Sequence, residues 1–298
     1  MPRGNVDLLV ELVPVPMSVG RRTVEGMDRT YPHGVTCWID VEQPDVDAAQ
    51  QFYGGLLGWE FTVATPPDAP ARYVIATLGG LDVAALAEAE TAGGWNTYVA
   101  VDDADAAVER ALSLGASVVS PAVDAGPGGR SAVLRDPAGL EIRLWQARRR
   151  KGAQLVNAPG SWNFSNLRSA DLEGARRFYG ELFPWRFVDQ GWATAISVPG
   201  YGDHLEATVD PDIRSRQASA PEGFADVIGA LVPAGDEAPG WSVVLTVDDR
   251  DATASRAEAL GGSVLGTIDT GWTKEAAIRD PQGAVFTASQ FAPPESWE

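Results

Sequence analysis

Histidine, cysteine and lysine are all scarce in this 298-residue chain: two histidines, His33 and His204, one cysteine, Cys37, and two lysines, Lys151 and Lys274. A single cysteine excludes an intramolecular disulfide framework and any zinc site built from several thiolates. Two histidines narrow metal chemistry further, because catalytic zinc, iron and nickel sites usually recruit imidazole. No Ser-His-Asp set can be assembled around His204, which has no nucleophile elbow near it. The two lysines, in a linker and on the approach to a strand, make no Schiff-base case. Long apolar runs are missing too: the stretch from Leu8 to Val15 is broken by Glu11 and Pro14, so neither a targeting signal nor a membrane span is expected.

Positive charge is also in short supply. With 23 Lys+Arg against 41 Asp+Glu the formal charge is −18, which argues against nucleic acid or an anionic membrane as a partner. A soluble, cytoplasmic protein is the expectation. Forty-five per cent apolar residues and ten Trp supply ample material for buried cores.

The sequence repeats itself. The segment from Gln51 to Phe61 (QFYGGLLGWEF) returns 126 residues later from Arg177 to Phe187 (RFYGELFPWRF). Trp95 to Asp103 (WNTYVAVDD) returns from Trp241 to Asp249 (WSVVLTVDD), and the turn Asp136-Pro137-Ala138-Gly139 returns as Asp280-Pro281-Gln282-Gly283. Three markers in one order indicate a duplication, with an insertion of about 20 residues in the second copy between a strand ending near Val209 and Trp241. Each copy reads as two βαβββ units. Thr36–Val41 alternates as a strand, Asp45 caps a helix to Leu57, and Gly58 stops it. Three strand-like runs follow, and the pattern restarts at Thr97 with Asp103 as the next cap. The expected organisation is an extension over 1–30, a first domain over 33–147, a linker over 148–159, and a second domain over 160–291 with an inserted loop at 211–240. The fold class is α+β, with cupped mixed sheets. The inserted loop suggests a lid or a clasp between domains.

Paired βαβββ units with these three markers resemble the vicinal oxygen chelate superfamily, the fold of glyoxalases, bleomycin-resistance proteins and extradiol dioxygenases. In detail the chain is similar to tandem two-domain actinobacterial proteins labelled hydroxylase or secreted-antigen glyoxalase-like. The resemblance implies a divalent metal held by His, Glu or Gln on the cupped sheets, acting as a Lewis acid. Carried over residue by residue, the ligand positions fall on Trp38, Asn96 and Arg143 in the first copy and on Phe164, Ser242 and Thr287 in the second. None is a usual ligand. The fourth-strand position falls near Val83–Ala85 or near His204 and Glu206; that last pair would share a strand face and is the weak candidate for a cation.

What the two-residue period of strands leaves on the ligand-bearing face is Trp38, Asp40, Asn96, Tyr98, Glu141, Arg143 and Trp145 in the first copy. Trp162, Phe164, Asn166, Ser242, Val244, Thr287 and Ser289 form the second set. Indoles, a phenol and a carboxylate–guanidinium pair suit a flat, oxygenated small-molecule ligand with no cofactor, and the resemblance implies a monomer or homodimer. Three functions are compatible. The first is metal-independent cyclase, isomerase or lyase chemistry on an aromatic or polyketide-like metabolite, with Arg143 polarising a carbonyl and Asp40 or Glu141 moving a proton. The second is sequestration of a planar toxic compound without chemistry. The third is glyoxalase-like aldehyde detoxification using His204 and Glu206.

Overall fold

A computed structural model describes residues 29–189, 193–218, 220–235 and 238–293; most of the expected N-terminal extension lies outside them. The first copy runs β1 (Thr36–Gln43), α1 (Val46–Leu57), β2 (Glu60–Val63), β3 (Tyr73–Leu78), β4 (Leu81–Glu88), β5 (Trp95–Ala100), α2 (Ala104–Ser113), β6 (Ser117–Asp124), β7 (Gly129–Arg135) and β8 (Glu141–Ala147). In the second copy come β9 (Trp162–Ser169), α3 (Leu172–Leu182), β10 (Arg186–Asp189), β11 (Thr194–Ser197), α4 (Tyr201–Thr208), α5 (Ile213–Arg216) and β12 (Val227–Pro233). Its second half is β13 (Gly240–Thr246), α6 (Arg250–Ala259), β14 (Ser263–Asp269), β15 (Thr273–Arg279) and β16 (Val285–Phe291).

The four unit helices start for one reason. Asp45, Asp103, Asp171 and Asp249 each accept a hydrogen bond from the backbone N–H three residues on, at 2.8–3.0 Å, satisfying one of the donors that a helix N-terminus leaves open. Gly58 ends α1 in the left-handed conformation, φ 74°, as the sequence indicates.

Each copy builds one eight-stranded mixed sheet, in the orders β2-β3-β4-β1-β5-β8-β7-β6 and β10-β11-β12-β9-β13-β16-β15-β14. The central strands β1 and β5 pair antiparallel, each flanked by a parallel neighbour, β4 and β8. The second sheet repeats this scheme with β9, β13, β12 and β16. The sheets face one another, with β5 against β13 at the centre, α1 against α6, and α2 against α3. Inward residues such as Ile39, Val41, Leu144, Leu167, Leu245 and Phe286 are almost fully buried, each contributing about 1.5–3 kcal/mol of hydrophobic stabilisation.

The repeat markers are themselves the interdomain contacts. Tyr53 Oη donates to Asp280 Oδ2 at 2.8 Å, and its repeat-mate Tyr179 donates to Asp136 Oδ2 at 3.0 Å. Trp59 Nε1 donates to Gly160 O at 2.6 Å, and Trp185 Nε1 donates to Gly34 O at 2.6 Å. The other oxygen of each aspartate ties its own turn, Asp136 to Ala138 and Leu140 and Asp280 to Gln282 and Ala284.

One region departs from expectation. The insertion lies between β11 and β12, so it begins ahead of the expected loop at 211–240 and ends within it, and it contains helices α4 and α5. The apolar run Val227–Val232 is not part of a loop; it is strand β12, parallel to β9. Tyr201 and Leu205 bury together on α4 at a one-turn spacing, a helical period where the sequence pattern indicates a strand ending near Val209.

Candidate functional site

On β1, Trp38, Asp40 and Glu42 alternate with the inward Ile39, Val41 and Gln43, so they share the outward face of the first sheet. Register then brings Asn96 and Tyr98 of β5 opposite Asp40 and Trp38, and sets Arg143 of β8 beside Tyr98. Asp40, fully buried, is the hub. It accepts from Tyr98 Oη at 2.6 Å, Asn96 Nδ2 at 2.9 Å and Tyr73 Oη at 3.0 Å. Trp38 Nε1 donates to Tyr73 Oη at 2.9 Å.

Arg143 joins this hub to a second carboxylate. Its Nη1 lies 3.9 Å from Asp40 Oδ1 and donates to Tyr98 Oη at 3.3 Å, while Nη2 pairs with Glu42. Burial works against its charge, but Asp40, Tyr98 and Glu42 outweigh that and raise its pKa above the ordinary guanidinium value. Burial and then the Asp40 charge push the Tyr98 and Tyr73 phenols well above their usual range, so both stay protonated donors. Glu42 keeps about a third of its side chain exposed, which makes it the carboxylate of the cluster that solvent and ligands can reach.

The strand period therefore brings Trp38, Asp40, Asn96, Tyr98 and Arg143 together. Trp145 lies further along the same face, its indole donating to Arg150 O at 2.9 Å. Glu141 does not join them: it pairs with Arg135 at 2.8 Å across the β7–β8 hairpin. Glu42 and Tyr73 were missed by sequence reasoning. Glu42 was findable, two residues beyond Asp40 on one strand face; Tyr73 comes from a strand that no motif marks.

The corresponding face of the second sheet is arranged differently. Asn166 is buried and its Oδ1 accepts from Ala230 N at 3.0 Å, Ser242 Oγ reaches Asn166 O at 3.4 Å, and Thr287 is nearly covered; these hold strands together. Here the titratable group is Glu275, which accepts from Thr273 Oγ1 at 3.0 Å and Ser289 Oγ at 3.2 Å. Burial raises its carboxyl to about 7, against the opposing hydrogen bonds and the Arg168 charge. Phe164 and Trp162 lie at the entry of β9, beside α4 and α5, in the wall of a separate cavity.

The residues present do not fit a metal. At the positions where the resemblance implies ligands stand Trp38, Asn96 and Arg143, and Phe164, Ser242 and Thr287; a fixed guanidinium in place of a carboxylate repels a cation. The fourth strands offer Ala85 opposite Asp40, and Ala230 donating its N–H to Asn166. His204 and Glu206 sit two apart on helix α4, where such residues do not face each other. His204 Nε2 bonds Thr30 at 3.1 Å, and Glu206 pairs with Arg214 at 2.9 Å, so the expected cation pair is not formed. Among the described residues no group of three His, Cys, Asp or Glu side chains is placed to hold a metal. Cys37 is buried on the inward face, where burial raises its thiol pKa. No helix among the described residues is long and apolar enough to cross a membrane.

Known proteins agree with this architecture. The glyoxalase-like domain family profile matches residues 38–145 and 165–289. A putative glyoxylase, CFP32, of Mycobacterium tuberculosis is 34% identical over 272 residues, covering 88% of this chain and 97% of the relative. The anthracycline biosynthesis protein DnrV of Streptomyces peucetius is 32% identical over 283 residues, covering 89% and 96%. Among solved structures, the Mn(II)-bound glyoxalase of Novosphingobium aromaticivorans superposes with a TM-score of 0.56 at 18% identity, over 88% of this chain and 84% of that one. The 2,3-dioxygenase LapB of Pseudomonas sp. KL28 gives 0.56 at 15%, over 89% and 96%. Two sheets of the same topology, three markers repeated in order, and a family profile matched in both halves place this chain in the glyoxalase-like domain family of the vicinal oxygen chelate superfamily, as two tandem domains.

Proposed function

We propose that this protein acts without a metal on a small, oxygenated aromatic or polyketide-like metabolite held on the outward face of the first sheet, moving a proton in cyclase, isomerase or lyase fashion. The observation that carries the reading is Arg143: a partly buried cation at a position where the superfamily's metal ligands fall, fixed between Asp40, Tyr98 and Glu42. A guanidinium so held stabilises charge developing on a carbonyl oxygen, as a Lewis-acid metal does elsewhere. Glu42, being accessible, takes a proton from the carbon next to that carbonyl. The C–H electron pair moves toward the oxygen facing Arg143, and Glu42 returns the proton at another position, so no co-reactant is needed. Asp40 is a positioning residue that sets Tyr98 and Arg143. Trp38 and Trp145 supply apolar surface for a planar body. Two similar proteins carry names that agree with a role around such metabolites, the anthracycline biosynthesis protein of Streptomyces peucetius and that of Streptomyces sp. strain C5.

The test is turnover of a panel of hydroxylated polyketide ketones by chelator-treated protein. Expected is conversion that survives chelation, is lost in Glu42→Gln, and leaves ligand affinity in that variant within about threefold of the parent. Conversion that requires added Mn(II) overturns the metal-free reading. Binding of the panel without conversion favours the second reading, sequestration, which has its own support: Asp40 is already satisfied by four neighbours of its own chain.

A further inference from the structure

The insertion that distinguishes the second domain from the first forms one wall of a partly open cavity. In the first domain β3 and β4 are joined by the short Gly79-Gly80 turn, whereas β11 and β12 are separated by α4 and α5. Leu205 of α4 and Ile213 of α5 close over about 80 Å³ of space between the start of β9, the start of β12, the interdomain linker and the segment around Arg29–Thr36. A water needs roughly 10–15 Å³ of such space, so the cavity has room for a compact ring.

Its walls hold polar atoms without partners. Asn157 Oδ1, Asn163 Oδ1, Gln217 Oε1 and Trp162 Nε1 are all shielded from solvent, and none finds a hydrogen bond among the described residues. Leaving such a group buried and unpaired is costly, of order 1–3 kcal/mol each, and the four residues that carry them all line one cavity. They come from three separate pieces of chain: the linker, the start of β9 and the insertion. Asn157 is held in the left-handed conformation, φ 65°, unlike every other described non-glycine residue, while its N–H bonds Trp162 O at 2.7 Å.

The cavity's charges are already engaged. Arg29 faces the Tyr31 and Tyr201 hydroxyls and Asp210, and Asp210 also pairs with Arg216. What lacks a partner is uncharged: three amide oxygens and one indole N–H. A hydroxyl both donates to an amide oxygen and accepts from an N–H, and it does so whichever way the amides are turned.

We infer that the cavity beneath α4 and α5 is a second binding site, distinct from the outward face of the first sheet, for a compact neutral ring compound bearing hydroxyl groups. The insertion is its lid. Resorcinol is a suitable probe, with 1,3-dimethoxybenzene as the analogue that accepts hydrogen bonds but cannot donate them. In ¹H–¹⁵N spectra the Trp162 indole resonance, assigned through Trp162→Phe, should shift saturably on titration with resorcinol. The dimethyl ether should bind at least tenfold more weakly. So should resorcinol to the paired substitutions Asn163→Ala and Gln217→Ala, with the remaining indole resonances of that variant unmoved to show that it is folded. Shifts confined to the Trp38 and Trp145 indoles, or equal affinity for the ether and the diol, overturn the assignment. A tenfold preference for 3-hydroxybenzoate overturns the neutral class of ligand. None of these outcomes depends on whether the first sheet catalyses a reaction.

Discussion

The Tyr53 hydroxyl donates to Asp280 Oδ2 across the domain interface at 2.8 Å, and the Tyr179 hydroxyl reciprocates to Asp136 at 3.0 Å. The two contacts are not equivalent. Asp280 Oδ2 has a second donor in Gln43 Nε2, at 2.8 Å, and among the described residues Asp136 Oδ2 has no such amide, because Ser169 stands where the first copy carries Gln43 and its hydroxyl bonds Asp171 O. Both phenols are pushed well above their usual pKa by burial and by the facing carboxylate, so both remain donors at any ordinary pH.

Removing either hydroxyl should therefore destabilise to different degrees. A hydrogen bond to a charged group contributes about 1.5–3 kcal/mol. Tyr53→Phe leaves Asp280 Oδ2 its Gln43 donor and should cost about 1.5 kcal/mol, whereas Tyr179→Phe leaves Asp136 Oδ2 without a side-chain donor among the described residues and should cost about 3 kcal/mol. Urea unfolding of the two variants checks the order. Equal losses would mean that the Gln43 amide does not share in holding Asp280.

These contacts explain why the fold was legible in the sequence. The FY pair, the Gly-Trp or Pro-Trp helix end and the Asp-Pro-x-Gly turn look like unit markers, yet each reaches across to the opposite copy, so the interface is what preserves them in both copies of this chain. The four Asp caps and the period-two strands were equally readable, since they rest on local chemistry. The insertion was not. Tyr201 and Leu205 are one turn apart within a short segment, where a helical and an extended period are hard to tell apart, and the apolar β12 run carries no flanking marker. In the site, period two puts Asp40 and Arg143 on one sheet face, where register brings them together. It does not bring Glu141 to them, because sharing a face with Arg143 still leaves it about 6.6 Å along the strand, within reach of Arg135.

Gly34 and Gly160, repeat-mates that accept the two indole hydrogen bonds, are required twice over. Both have left-handed φ, 86° and 81°, and a Cβ there would lie 2.7 Å from Pro184 Cδ or 2.9 Å from Leu57 O. Gly79 has φ 59° but open space around it. Gly79→Ala should cost about 1–2 kcal/mol, the left-handed penalty alone. Gly34→Ala and Gly160→Ala should each cost at least about 1 kcal/mol more, read as a larger fall in the urea midpoint. Equal costs at all three positions would remove the close-packing argument.

Glu275 should give the protein a pH-dependent stability. Burial raises its carboxyl from the ordinary 4.5 to about 7, so the folded state holds a proton that the unfolded chain has released between those values. Stability from this group is complete below pH about 4.5, falls as pH rises toward 7, and is flat above. The full swing is about 3 kcal/mol, at 1.36 kcal/mol per unit. Glu275→Gln should abolish that slope and be more stable than the parent at pH 8. Parallel stability profiles for parent and variant between pH 4.5 and 8 would show that the carboxylate is ionised in the fold.

Arg143 and Asp40 test whether the outward cluster of the first sheet acts as one unit. Arg143→Met removes the fork that joins Asp40, Tyr98 and Glu42, and breaking a buried ion pair from one side costs about 3–5 kcal/mol. Glu42, partly exposed, can take up water, which puts the expected loss near the lower end. Asp40→Asn strips acceptors from Tyr98, Tyr73 and Asn96 and should cost a similar amount. If the two side chains are coupled at 3.9 Å, the double variant should be more stable than additivity predicts by about 1–2 kcal/mol. Arg143→Lys should not restore stability, because a single ammonium cannot reproduce the planar fork that meets Tyr98 Oη and Glu42 together. Strict additivity in the cycle would mean that Asp40 is held by its neutral donors alone, and the guanidinium would then lack the fixed orientation that carbonyl polarisation needs.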